Sequence, residues 1–132
     1  MKKILLALSL LVLSSSVVVA GETKLPSCAP DWEPLHKDVR LSNGELQNLG
    51  DPGSSSDTNF IGVVTSASRP SLEVQFGYVY RGEHTIGDPQ SGGLNRCTRF
   101  HFNPKAHNGA DIAVQLVNPS NNDRAVVTIW RE

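Results

Sequence analysis

The sequence predicts an all-β fold: one antiparallel β-sandwich domain, jelly-roll-like, closed by a single disulfide. Three observations carry that prediction. Residues 72–81 (LEVQFGYVYR) alternate, with Leu72, Val74, Phe76, Tyr78 and Tyr80 on one face and Glu73, Gln75, Gly77, Val79 and Arg81 on the other. Period two in a run this long marks a half-buried antiparallel strand. Short β-branched and aromatic runs recur between Gly-, Pro-, Asn- and Ser-rich turn signals, the pattern of a sandwich or barrel. Beyond residue 20 no stretch has a helical apolar period, and no repeat of fixed period is visible.

Residues 1–20 (MKKILLALSLLVLSSSVVVA) combine a positive start, an apolar stretch and a small-residue exit. That is the pattern of a secretory signal peptide cut between Ala20 and Gly21. A membrane span needs about 20 consecutive apolar residues, and Ser14, Ser15 and Ser16 interrupt this run. No second long apolar segment follows, so a soluble exported protein, secreted or periplasmic, is expected. Leu25-Pro26-Ser27-Cys28 loosely resembles a lipoprotein-processing motif, but Pro26 departs from it and residues 21–24 separate it from the apolar run.

The mature chain is long enough for one domain with one modest core. Lys2 and Lys3 leave with the leader, so 10 of the 12 Lys and Arg face all 13 Asp and Glu. No basic stripe appears, which argues against nucleic acid as a partner. Cys28 and Cys97 both follow the cleavage site. An even pair in an oxidising compartment reads as one structural disulfide, and the absence of CxxC spacing argues against a redox or metal role.

Taken in order, residues 21–37 are Pro-rich and aperiodic, an extended arm fixed by Cys28; residues 38–132 form the sandwich. Residues 38–49 (DVRLSNGELQNL) hold Asn43-Gly44, a strong hairpin signal. Residues 50–59 and 82–95 (GEHTIGDPQSGGLN) read as polar, glycine-rich loops. Strands are expected at 60–66 (FIGVVTS), 96–102 (RCTRFHF), 111–117 (DIAVQLV) and 125–130 (AVVTIW). In 96–102, Thr98, Phe100 and Phe102 share one face, and Cys97, Arg99 and His101 the other. Trp130 reads as a half-buried strand residue, and Trp32 as a side chain packed near Cys28.

Catalytic chemistry finds little footing. No GxSxG elbow is present. Glu73 and Glu83 are a carboxylate pair of the kind glycosidases use, but only their separation in space gives such a pair meaning. His36, His84, His101 and His107 lack zinc-ligand spacing, Ser91-Gly92-Gly93 lacks the rest of a phosphate loop, and Asp88 with 118–123 matches no calcium loop. No cofactor and no metal are expected. Loops near flexible turns are the better place for function. Those at 82–95 and 103–109 bring Tyr80, Arg81, His84 and His107 as candidate ligand-binding side chains: aromatic, cationic and hydrogen-bonding.

Two segments, LEVQFGY (residues 72–78) and AVQLVNPSNNDRAVVTIW (113–130), are similar to the small jelly-roll subunit of Pir-type binary insecticidal toxins. The resemblance covers residues 71–132, under half of the chain. The leader and the cysteine pair depart from that family's pattern. It implies architecture, a sandwich like those of carbohydrate-binding modules, and carries over no functional residue.

The expectation is therefore an exported, non-catalytic module that binds a glycan or another cell-surface component. Two alternatives are a periplasmic inhibitor or immunity protein capping an exported enzyme, and a subunit of a secreted toxin.

Overall fold

β-Branched and aromatic side chains suit a pleated, half-buried surface, and each of their runs forms a strand. The structure, a computed structural model, describes residues 24–132; the leader expected at 1–20 lies outside the described residues. These form eight strands and no helix: β1 His36–Ser42, β2 Gln47–Gly50, β3 Thr58–Ala67, β4 Glu73–Val79, β5 Gly87–Gly93, β6 Cys97–Phe102, β7 Asp111–Val117 and β8 Arg124–Arg131. Among the described residues no helix is long and apolar enough to cross a membrane.

The strands make two four-stranded antiparallel sheets, ordered β1-β8-β3-β6 and β2-β7-β4-β5. The chain changes sheet at every connection except β4–β5. An eight-stranded double sheet so connected is a jelly roll. Leu41, Phe60, Phe100, Val127 and Ile129 of the first sheet meet Val74, Phe76, Tyr78, Ile112 and Val114 of the second in one core. Phe100 lies at its centre, stacked on Phe60 at 5.5 Å and on Phe76 at 5.6 Å.

Two local readings change. The strands flanking Asn43-Gly44 do not pair with each other: β1 pairs with β8, and β2 with β7. Asn43 does take the positive φ of a tight turn (52°), but its N–H donates to the Asp123 carbonyl, and the turn crosses between the sheets. Residues 82–95 are not all loop either, because β5 lies within them. Its composition hides it: β5 pairs only with β4, at the edge of its sheet, where Pro89 forfeits no ladder bond. A Cβ at Gly92 would collide with the Thr98 hydroxyl. Asp88 takes a φ of 49° where the β4–β5 register slips between Phe76 and Tyr78.

The arm crosses the outer face of the first sheet. Cys28 and Cys97 are bonded, with 6.3 Å between their Cα atoms, and such a bond belongs to an oxidising environment. Ala29 packs on Ile61, Val63 and Trp130. Trp130 is buried outright instead of half-buried, at 2% exposure, because the arm roofs it. β1 begins at His36, two residues before the boundary drawn from composition.

Candidate functional site

Three connections meet at one end of the sandwich: β2–β3 (51–57), β4–β5 (80–86) and β6–β7 (103–110). The β6–β7 connection is built around Asn103. Its side-chain oxygen accepts the N–H groups of Lys105 (2.9 Å) and Ala106 (3.3 Å), its carbonyl accepts the His107 N–H (2.7 Å), and its own N–H donates to Nδ1 of His107 (2.9 Å). With Nδ1 an acceptor, the neutral imidazole carries its proton on Nε2, which lies 2.9 Å from the Asp88 carboxylate. His107 is 5% exposed, and its ring stacks on Tyr78.

Tyr80 is half-buried against the core. Its hydroxyl donates to the Ala106 carbonyl at 2.6 Å, tying two of the three connections together. Desolvation first, and then the negative charges of Asp88 and Glu83, hold its phenol above the ordinary tyrosine value. Arg81 and His84 are exposed. The fold thus brings Tyr80, Arg81, His84 and His107 to one end. Tyr80 and His107 spend their polar atoms on the scaffold there, while Arg81 and His84 form no hydrogen bond or ion pair among the described residues.

Two adjoining clefts open at this end. One, of about 490 Å³, is lined by Asp51, Ser54, Arg81, His107, Asn108 and Asp111. The other, of about 450 Å³, has Asn48, Tyr80, Arg81, Glu83, His84 and Asp111 on its wall. Arg81, Gly109 and Asp111 belong to both. Asp51 accepts the Gly53 N–H at 2.6 Å, Asp111 accepts from the Asn48 amide at 3.0 Å, and Arg131 donates to the Pro52 carbonyl at 2.7 Å. These bonds hold the rim without filling the clefts.

Asp51 escaped the sequence reading because it sits in an ordinary polar loop, and Asn108 was reached only as part of the loop at 103–109; topology gathers both beside Asp111 at the start of β7. Glu73 begins β4 and Glu83 lies in the connection beyond its far end; the seven-residue strand by itself spans ~20 Å, which sets the two carboxylates too far apart to work one glycosidic bond. Among the described residues no cluster of three His, Cys, Asp or Glu side chains is placed to hold a metal. Trp32 is left 52% exposed, its indole Nε1 donating to the Arg131 carbonyl at 3.0 Å.

Fold and site together define an eight-stranded jelly-roll sandwich with polar clefts among the loops at one end. No protein-family model, curated protein or solved structure matches the chain.

Proposed function

We propose that this protein is an exported, non-catalytic binding module whose ligand is a glycan or a glycan-bearing component of a cell surface, held at the loop end of the sandwich. One observation carries the reading. Arg81, charged and uncommitted among the described residues, stands where two concave surfaces join, ringed by hydrogen-bonding groups of Asp51, Asn108, Asp111 and His84. Hydroxyl-rich ligands need such a mixture of donors and acceptors, pre-positioned on a rigid frame. The disulfide and the N-terminal leader sequence support a site of action outside the cytoplasm.

The test is a glycan array probed with the mature chain, followed by titration of any hit against Arg81→Ala and His84→Ala. A charged hydrogen-bonding group contributes enough that its loss weakens binding about tenfold. A chain that binds no sugar at millimolar concentration overturns the reading. Co-purification with one exported enzyme in equal amount would replace it with the inhibitor alternative.

A further inference from the structure

A second concave surface, of about 390 Å³, lies away from the loop-end clefts, where the N-terminal arm crosses the first sheet. It is lined by Trp32, by the half-buried Thr65 and by the buried Thr128 and Trp130. Exposed large apolar side chains among the described residues are Leu25, Trp32 and Leu35, all in the arm. Trp32 is nevertheless fixed. Its Nε1 donates to the Arg131 carbonyl (3.0 Å), its own carbonyl accepts Nε1 of Trp130 (2.9 Å), and nearby Cys28 is bonded to Cys97. An indole left half in water yet tied on both sides is pre-organised for a flat partner.

The polar groups beside it narrow the partner's chemistry. Asp31, Lys37 and Asp38 line the same surface and form no ion pair among the described residues. Asp38 holds a φ of 54°, an uncommon conformation for a residue with a side chain, at the bulge where the β1–β8 register slips between His36 and Val39. Its N–H donates to Oγ1 of Thr128 at 3.2 Å. That bond makes the Thr128 hydroxyl an acceptor and leaves its own proton uncommitted among the described residues. Carboxylates accept neighbouring hydroxyl protons, a hydroxyl donates, and an indole face takes the C–H face of a saturated ring. Two carboxylates against one lysine disfavour a phosphate-bearing base, the other flat ligand an exposed tryptophan would take.

We infer that Trp32 is the stacking platform for one neutral pyranose ring of a glycan, with Asp31 and Asp38 accepting its hydroxyl protons and Thr128 donating one. The inference rests on the glycan reading above but assigns a separate subsite. It is tested by NMR titration of the mature chain with neutral hexose oligosaccharides, N-acetylhexosamine oligosaccharides and uronic-acid oligosaccharides. A neutral oligosaccharide is expected to shift the Trp32 indole N–H resonance, and to shift it more than that of the buried Trp130. Trp32→Ala should weaken binding at least tenfold. Asp38→Asn, which tolerates the same backbone conformation, should weaken it several-fold; its effect and the wild-type Trp32 shift decide the matter even if Trp32→Ala fails to fold. Arg81→Ala should leave the Trp32 shift in place. An oligosaccharide that binds without moving the Trp32 resonance, and equally well to Asp38→Asn, overturns this subsite and leaves the loop-end reading standing. A wild-type chain that binds no oligosaccharide overturns both.

Discussion

The His107 ring lies on the ring of Tyr78, centroids 4.2 Å apart and planes 27° from parallel. The loop end is thereby seated on the core, because Tyr78 is 1% exposed and also contacts Phe100 and Phe102. The backbone N–H of Asn103 aims at Nδ1 and the carboxylate of Asp88 at Nε2, so His107 serves the cleft by fixing its wall.

Replacing His107 with Ala deletes a buried ring and leaves the Asn103 N–H without its acceptor. The expected cost is about 2–4 kcal/mol, read from urea unfolding at neutral pH. In the wild type, ¹⁵N NMR should show the proton on Nε2 and an unprotonated Nδ1. A spectrum with the proton on Nδ1 would contradict the hydrogen bond from Asn103.

Tyr78 makes a prediction of a different kind. Its hydroxyl is buried without a hydrogen-bond partner among the described residues, and desolvation, with a smaller contribution from the Asp88 charge, pushes its ionisation far above the ordinary value. The folded state therefore keeps a proton that the unfolded chain releases above about pH 10. The stability linked to it is intact below that pH and is lost as pH rises toward the folded value. Tyr78→Phe removes this loss, so its melting temperature should fall less than that of the wild type on going from neutral to strongly alkaline pH. It also relieves a buried unpaired group, a gain of about 1 kcal/mol or more at neutral pH. A variant less stable than the wild type at both pH values would mean that the hydroxyl has a partner, such as a bound water.

How much of this was legible in the sequence follows from where each signal resides. β6 alternates cleanly, since one side meets the core and the other does not; β4 alternates in residue type, but Gly77 and Val79 of its outer face are buried as well, Val79 in a second cluster with Ile86 and Ala113. The cysteine pairing followed from there being two. β5 was hidden because an edge strand needs backbone partners more than apolar side chains, and Gly87, Asp88, Pro89 and Gly92 spell loop chemistry. Tyr80, Arg81 and His84 are neighbours in sequence, so the loop that carries them could be chosen. Asp51 and Asp111 join them only through the order of strands in two sheets. Trp32 sits in an aperiodic arm, where no pattern tells a packed tryptophan from an exposed one.

The disulfide closes a loop of 69 residues in sequence separation. In the chain-entropy description a loop of that length contributes about 4 kcal/mol, mostly by restricting the unfolded chain. Cys28→Ser with Cys97→Ser should therefore lower the melting temperature by about 15–30 °C for a domain of this size, and should free the arm so that the Trp32 and Trp130 indoles exchange with solvent faster. Mass spectrometry of the unreduced wild type should find it two hydrogens lighter than the reduced chain. A double variant that melts within a few degrees of the wild type would show that packing of Ala29 and the two tryptophans, and not the bond, holds the arm.

At the far end of the sandwich, Asp123 gathers the β3–β4 and β7–β8 connections. It accepts Nε and Nη2 of Arg69 (3.2 and 3.0 Å), the Ser68 hydroxyl (3.1 Å) and the Ser120 N–H (2.7 Å). The Arg69 bond first, then the Ser120 N–H, hold its carboxyl below the ordinary aspartate value, against the opposing effect of burial. A carboxyl depressed in the folded state stabilises the fold above the unfolded value, near about pH 4, and loses that contribution as pH falls through the folded value. Asp123→Asn keeps the size of the side chain but loses the ion pair and an acceptor oxygen, so it should melt lower than the wild type at neutral pH. The gap should narrow below about pH 4, where the unfolded chain takes up a proton first and the folded carboxyl follows at lower pH. Melting curves collected from neutral pH down to about pH 2 read both effects. An unchanged gap across that range would mean that the hydrogen bonds, and not the charge, carry the contribution of Asp123.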